Sequence, residues 1–235
     1  MRVLIIAVLA LIGYVECSGD KHPYLVSIEY KSLVEKEVVS QHICSGAIIS
    51  EKLILTLASC MKGYHIDDLR VRAASPSIRR GGIVKSVEKI VPHERYTTSR
   101  KDYDIAVVHI KVPFTFDEDI KALKLPTGTV APSVGSHATL TGWGVTDGSD
   151  LLESVDLEMT VPIQCKNLYA PSIIYITDRM FCAGNTVGRT GCKTDPGSPL
   201  VSSNTLLGLS VFDMKCGRYP GIYTNVANLK KWISL

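Results

Sequence analysis

Apolar and polar positions alternate along this chain in short runs rather than in long helical stripes. The runs 24–30, 47–57, 69–73, 83–91, 105–110, 138–143, 157–161, 206–211 and 221–226 are dominated by Val, Ile, Thr and Tyr. Branched and aromatic side chains of that kind fit a pleated, half-buried surface. Gly, Pro, Asp and Ser punctuate the runs. Many short strands at intervals of about 8–12 residues predict an all-β sandwich or barrel. One helix is predicted, at the C-terminus, where Val226, Leu229, Trp232 and Ile233 share a face. A reset of the pattern near 116–125 divides the chain into two halves of similar size.

The N-terminus breaks this pattern. Arg2 is followed by ten uncharged apolar residues, Val3 to Ile12. A membrane-spanning helix needs roughly 20. A stretch of about 7–15 behind a positive charge reads as the core of a signal peptide. The expectation is a leader over 1–17 and a secreted, extracellular product, with no membrane partner. The chain has 7 cysteines, and removal of Cys17 with the leader leaves Cys44, Cys60, Cys165, Cys182, Cys192 and Cys216. An even set behind a leader reads as three disulfides, with 15 connectivities open to six cysteines. No Cys-x-x-Cys pair or ligand-spaced His pair is present, so neither a metal nor another cofactor is expected. With 46% hydrophobic and 21% charged residues the chain has the composition of a globular protein. A net charge of +3 is too small to point to nucleic acid. The basic positions Arg70, Arg72, Arg79, Arg80, Lys85 and Lys89 read as a solvated face or a binding patch.

Candidate chemistry lies in five segments: Ile54-Leu-Thr-Leu-Ala-Ser-Cys60, Asp104-Ile-Ala-Val-Val108, Thr141-Gly-Trp-Gly144, Cys192-Lys-Thr-Asp-Pro-Gly-Ser-Pro-Leu200 and Pro220-Gly-Ile-Tyr-Thr224. Together, and in this order, they resemble the chymotrypsin/trypsin-like serine proteases from about Pro23 to Leu235. The resemblance implies two antiparallel six-stranded β-barrels, at about 24–118 and 119–225, within a domain 18–235 that ends in a helix at 226–235. It also implies the disulfides Cys44–Cys60, Cys165–Cys182 and Cys192–Cys216.

The same resemblance makes the catalytic positions a test. The family's Thr-Ala-Ala-His-Cys reads Thr56-Leu-Ala-Ser59-Cys60, so Ser59 stands where the general base should be. A serine hydroxyl cannot accept and return a proton near neutral pH as imidazole does. Asp104 holds the position that would orient the base, and is expected as a partly buried carboxylate with local hydrogen bonds. The family's Gly-Asp-Ser-Gly-Gly-Pro reads Thr194-Asp195-Pro196-Gly197-Ser198-Pro199. Pro196 replaces the nucleophile and has neither hydroxyl nor backbone N–H, although that N–H is one of two oxyanion donors in the family. Thr194 takes the place of the glycine that carries the other. The specificity position falls on Thr190, with no acidic group for Lys or Arg. The pocket wall Ser-Trp-Gly reads Ser210-Val211-Phe212, and the Phe212 ring is expected to reshape or close the pocket. Counting back from Pro23 places the family's activation site at Leu11–Tyr14, with no Lys or Arg before it. Asp195, beside the nucleophile position, then has His42 as its expected partner. A replacement dyad of Ser198 with His65 is the other arrangement the sequence offers.

Segments such as Leu69-Arg-Val-Arg-Ala73 and Lys89-Ile-Val-Pro-His-Glu-Arg-Tyr96 resemble the inactivated protease paralogues of parasitic mites, relatives of the mite group 3 allergens. That likeness implies a secreted, proteolytically inactive homologue acting by protein binding, with host proteolytic defence cascades such as complement as partner. The alternatives are an active endopeptidase with a rebuilt site, and a decoy for protease inhibitors or substrates.

Overall fold

The computed structural model describes residues 21–34, 37–78, 80–143, 150–172, 174–184, 195–212 and 219–234. The expected leader, Arg79, Thr190, Cys192, Thr194, Cys216 and the side chain of Phe212 lie outside the described residues.

Six strands close the first barrel: β1 (Leu25–Val34), β2 (Glu37–Ile48), β3 (Leu53–Thr56), β4 (Leu69–Ala73), β5 (Ile83–Pro92) and β6 (Ala106–Ile110). Their order around the barrel is β1-β2-β3-β6-β5-β4, and β4 pairs back onto β1. Sequence parity explains the facing. Leu69, Val71 and Ala73 on β4 are buried opposite Tyr30, Ile28 and Val26 of β1. Arg70 and Arg72 occupy the other face, across from Glu29 and Ser27. The 47–57 run divides into the end of β2 and all of β3, because Ser50 turns the chain: its hydroxyl accepts from the Leu53 N–H at 3.2 Å. A one-turn helix, α1 (Ala58–Met61), follows β3.

The second sheet comprises β7 (His137–Gly142), β8 (Glu153–Glu158), β9 (Met180–Ala183), β10 (Pro199–Ser202), β11 (Thr205–Phe212) and β12 (Gly221–Asn225). The order is β8-β7-β10-β11-β12-β9. Its two edges meet just past β8: Met159 bridges Ala183, Thr160 donates its N–H to the Cys182 carbonyl at 3.0 Å, and Gly184 donates to Glu158 at 2.8 Å. The sheet therefore curls into a second barrel around Leu140, Leu157, Leu200 and Tyr223. Residues 121–124 stitch the barrels together, with Leu123 N–H on the Ile48 carbonyl at 2.9 Å and Lys124 N–H on the Asn204 carbonyl at 3.0 Å.

Two helices follow strands of the second half. α3 (Val226–Ile233) is the amphipathic helix read from the sequence, capped by the Asn225 side chain accepting from the Asn228 N–H. α2 (Pro162–Tyr169) lacks an apolar stripe, so the sequence pattern does not announce it. It is fixed instead by Pro162 in its first turn, by Cys165, and by the Tyr169 hydroxyl donating to the Pro220 carbonyl at 2.6 Å. The pattern does not announce β9 and β10 either, since four residues show too little periodicity.

Cys44–Cys60 and Cys165–Cys182 are disulfide-bonded, with Cα atoms 6.1 and 6.0 Å apart. The loops they close span 16 and 17 residues, and each crosslink restricts the unfolded chain by about 3 kcal/mol. The third expected pair, Cys192–Cys216, lies outside the described residues. Among the described residues no helix is long and apolar enough to cross a membrane.

Candidate functional site

The residues singled out in the sequence converge where the two barrels touch. α1 begins where β3 ends and sets Ser59 beside the loop that enters β6. There the Ser59 backbone N–H donates to Asp104 Oδ1 at 2.7 Å. Asp104 is only 2% exposed, more deeply buried than the sequence suggested. Its Oδ2 makes no hydrogen bond. Burial pushes the Asp104 carboxyl above the ordinary range, and the Ser59 N–H and hydroxyl pull it only partly back. The Asp104 carbonyl accepts from the Thr224 hydroxyl of β12 at 2.9 Å, which ties it to the second barrel. The carboxylate thus faces a peptide N–H and serves as a structural acceptor.

The second barrel contributes the turn 195–198. Gly197 adopts φ +83°, a conformation that strains any residue with a Cβ. A Cβ there would also lie 2.2 Å from the Ser45 carbonyl oxygen. The exposed Pro196 directs its carbonyl into barrel one, where the Ser45 N–H donates to it at 2.9 Å. The N–H groups that follow are committed: Gly197 donates to Ser210 at 2.8 Å and Ser198 to Asp195 at 3.1 Å. Residues 196–198 therefore present no free backbone donor to a ligand.

Asp195 is buried among barrel-one side chains. Its Oδ1 lies 3.4 Å from His42 Nε2, an ion-pair distance without hydrogen-bond alignment. Its Oδ2 accepts from the Ser45 hydroxyl at 3.4 Å. The other ring nitrogen of His42, Nδ1, is 2.7 Å from Ser27 Oγ, and Trp143 packs edge-on against the ring. The expected approach of His42 to Asp195 is thus present, and Ser27 extends it in a way no local motif announced.

A Ser198–His65 dyad does not form. Ser198 is fully buried with an unpartnered hydroxyl. His65 is exposed and turned to Asp67, 3.6 Å away. Ser210 and Val211 are both buried in β11. The basic cluster also needs correction. Arg72 is buried, and its Nε donates to Glu29 Oε1 at 2.5 Å while Arg70 Nε donates to Oε2 at 2.6 Å. The Lys85 ammonium lies 5.8 Å from the centre of the Phe114 ring. Of this set Arg80 and Lys89 stand exposed.

Beside Asp104 a further clasp joins the barrels. Arg179 grips Asp102 with two donors, at 2.6 and 3.1 Å, and the Thr177 hydroxyl adds a third at 2.8 Å. The Arg95 and Arg179 guanidinium groups lie 4.4 and 4.8 Å from the centre of the Tyr103 ring. His93 packs against both Tyr103 and Trp232 of α3, with centroids 4.6 and 4.7 Å away.

This geometry accords with the comparisons. The trypsin family model matches residues 11–233. Trypsin epsilon of Drosophila erecta is 34% identical over 230 residues, 95% of this chain and 86% of that protein. Trypsin Blo t 3 of Blomia tropicalis is 33% identical over 225 residues, 92% of this chain and 81% of that protein. Among solved structures, the scabies mite inactivated protease paralogue S-D1 superposes with a TM-score of 0.77 at 23% identity, covering 90% of this chain and 91% of that one. The fold is chymotrypsin-like, and the chain belongs to the trypsin family.

Proposed function

We propose that this chain is a secreted trypsin homologue that has lost proteolysis and acts by binding protein, interfering with host proteolytic defence cascades such as complement. The observation that carries the loss is the turn at Pro196. It offers no hydroxyl and no free N–H, and the nearby Asp104 engages the amide of Ser59 instead of an imidazole. Removing one oxyanion donor alone costs about 10²–10³ in turnover, and here the base and nucleophile positions are changed as well. The printed description of the S-D1 paralogue as inactivated supports the reading by analogy. Secretion is supported by the apolar run behind Arg2 and by the disulfides.

Two experiments test it. Incubation with casein and a fluorogenic peptide library, beside an active trypsin, is expected to give no cleavage; turnover that survives repurification would overturn the loss of proteolysis. Capture from plasma on the immobilised chain is expected to enrich a complement or related cascade component and to lower complement-mediated lysis. Capture of no such component, with unchanged lysis, would overturn the cascade reading.

A further inference from the structure

Away from the triad positions, a cavity of about 830 Å³ opens between the start of the first barrel and the edge of the second. Its apolar wall includes Leu25, Pro76, Leu151 and Leu152. His22 and Ser154 also line it, and Ser154 Oγ lies 2.7 Å from His22 Nε2. The other imidazole nitrogen, Nδ1, faces two hydroxyls, Tyr24 at 3.2 Å and Thr141 at 3.4 Å. Register explains the meeting. Thr141 pairs with Ser154 across β7 and β8, so both side chains stand on one face, and their hydroxyls are 3.3 Å apart. His22, just before β1, reaches over that face from the other barrel.

We propose that Ser154 and His22 form a nucleophile–base dyad that hydrolyses short-chain carboxylic esters, the acyl chain lying on the apolar wall. An imidazole with its proton on Nδ1 donates to the Tyr24 or Thr141 oxygen and leaves Nε2 to accept from Ser154. Ser154 Oγ then attacks the ester carbonyl as its proton passes to Nε2. The C–O bond to the alcohol breaks, and the alcohol departs with that proton. Water, deprotonated by the same imidazole, splits the acyl-serine to the free acid and restores Ser154. Ester cleavage suits this site because an alcohol is a better leaving group than an amine. The inference does not depend on the reading of the barrel junction.

The test uses the full secreted chain, p-nitrophenyl butyrate and a fluorophosphonate probe with peptide mapping. The expected result is modification at Ser154 and hydrolysis above a heat-denatured control. Ser154→Ala should abolish the modification and lower hydrolysis at least about tenfold. His22→Gln, which keeps hydrogen-bonding groups but removes the base, should slow both, with thermal unfolding of each variant recorded to confirm a native fold. Failure to modify Ser154, or hydrolysis unchanged in either folded variant, would overturn the dyad. Modification of Ser59 or Ser198 instead would overturn it and would also count against loss of chemistry at the junction, whereas a negative result at every serine leaves that second reading standing.

Discussion

Asp102 and Asp104 stand two residues apart on one loop and are driven in opposite directions. Burial raises Asp102, but Arg179, Thr177 and the Tyr103 N–H outweigh it and hold that carboxyl below its ordinary range. At Asp104 burial prevails and the carboxyl is pushed up. The signs of their effects on stability therefore differ. Asp102 stabilises the fold above the ordinary carboxylate value, near 3.9, and that contribution is lost as pH falls through its lowered folded value. Asp104 favours the fold in its protonated form, and that contribution is lost as pH rises through its raised folded value. Thermal unfolding between about pH 3 and 7 separates them. Asp102→Asn should lower Tm at neutral pH and flatten the acid limb. Asp104→Asn, which still accepts from Ser59, should raise Tm at neutral pH, with the gain vanishing in acid.

Glu29 is the shared acceptor for two arginines, one of them buried. Removing it strands the Arg72 charge, so Glu29→Ala should cost about 3–5 kcal/mol. The double replacement Glu29→Leu with Arg72→Met should lie much nearer the parent, since an apolar pair needs no compensation. Urea denaturation of Glu29→Leu, Arg72→Met and the double gives the coupling directly.

Gly63 and Gly197 both adopt positive φ, +87° and +83°. A Cβ at Gly63 meets nothing within 4 Å, whereas one at Gly197 collides with the Ser45 carbonyl. Gly63→Ala should cost about 1 kcal/mol, the strain of the backbone alone. Gly197→Ala should cost about 2–4 kcal/mol because the two barrels must shift apart. Equal losses in chemical denaturation would show that the close approach carries no energy.

Reinstating the obvious groups should not revive a protease. Ser59→His with Pro196→Ser supplies a base, a hydroxyl and one N–H. It leaves Thr194 at the second oxyanion position and no acid at Thr190. Turnover of Arg- and Lys-containing fluorogenic peptides should stay at least about 10²–10³-fold below an active trypsin.

Many of the strands are legible because they carry their own alternation, while β9 and β10 are not, and the two-barrel arrangement is what the family resemblance implies. Leu69, Val71 and Ala73 reveal the inward face of β4 without reference to any other residue. α2 was not readable, because a disulfide and a tyrosine hydroxyl hold it rather than an apolar stripe. The Arg70 and Arg72 positions read as a basic face for a related reason. Their partner Glu29 is about forty residues earlier in the chain, and only the β1–β4 register brings it opposite. His22 and Ser154 are 132 residues apart and meet because His22, just before β1, reaches across to β8. At the junction, residue identities showed which groups had changed, while the use of each remaining N–H needed the folded turn.

Two bonds at the junction, from the Ser45 N–H to the Pro196 carbonyl and from the Thr224 hydroxyl to the Asp104 carbonyl, run from one lobe to the other. The lobes are thereby tied together at the junction. On the binding role proposed above, loops around the rim would be carried on a pre-organised frame, which lowers the reorganisation cost of an encounter.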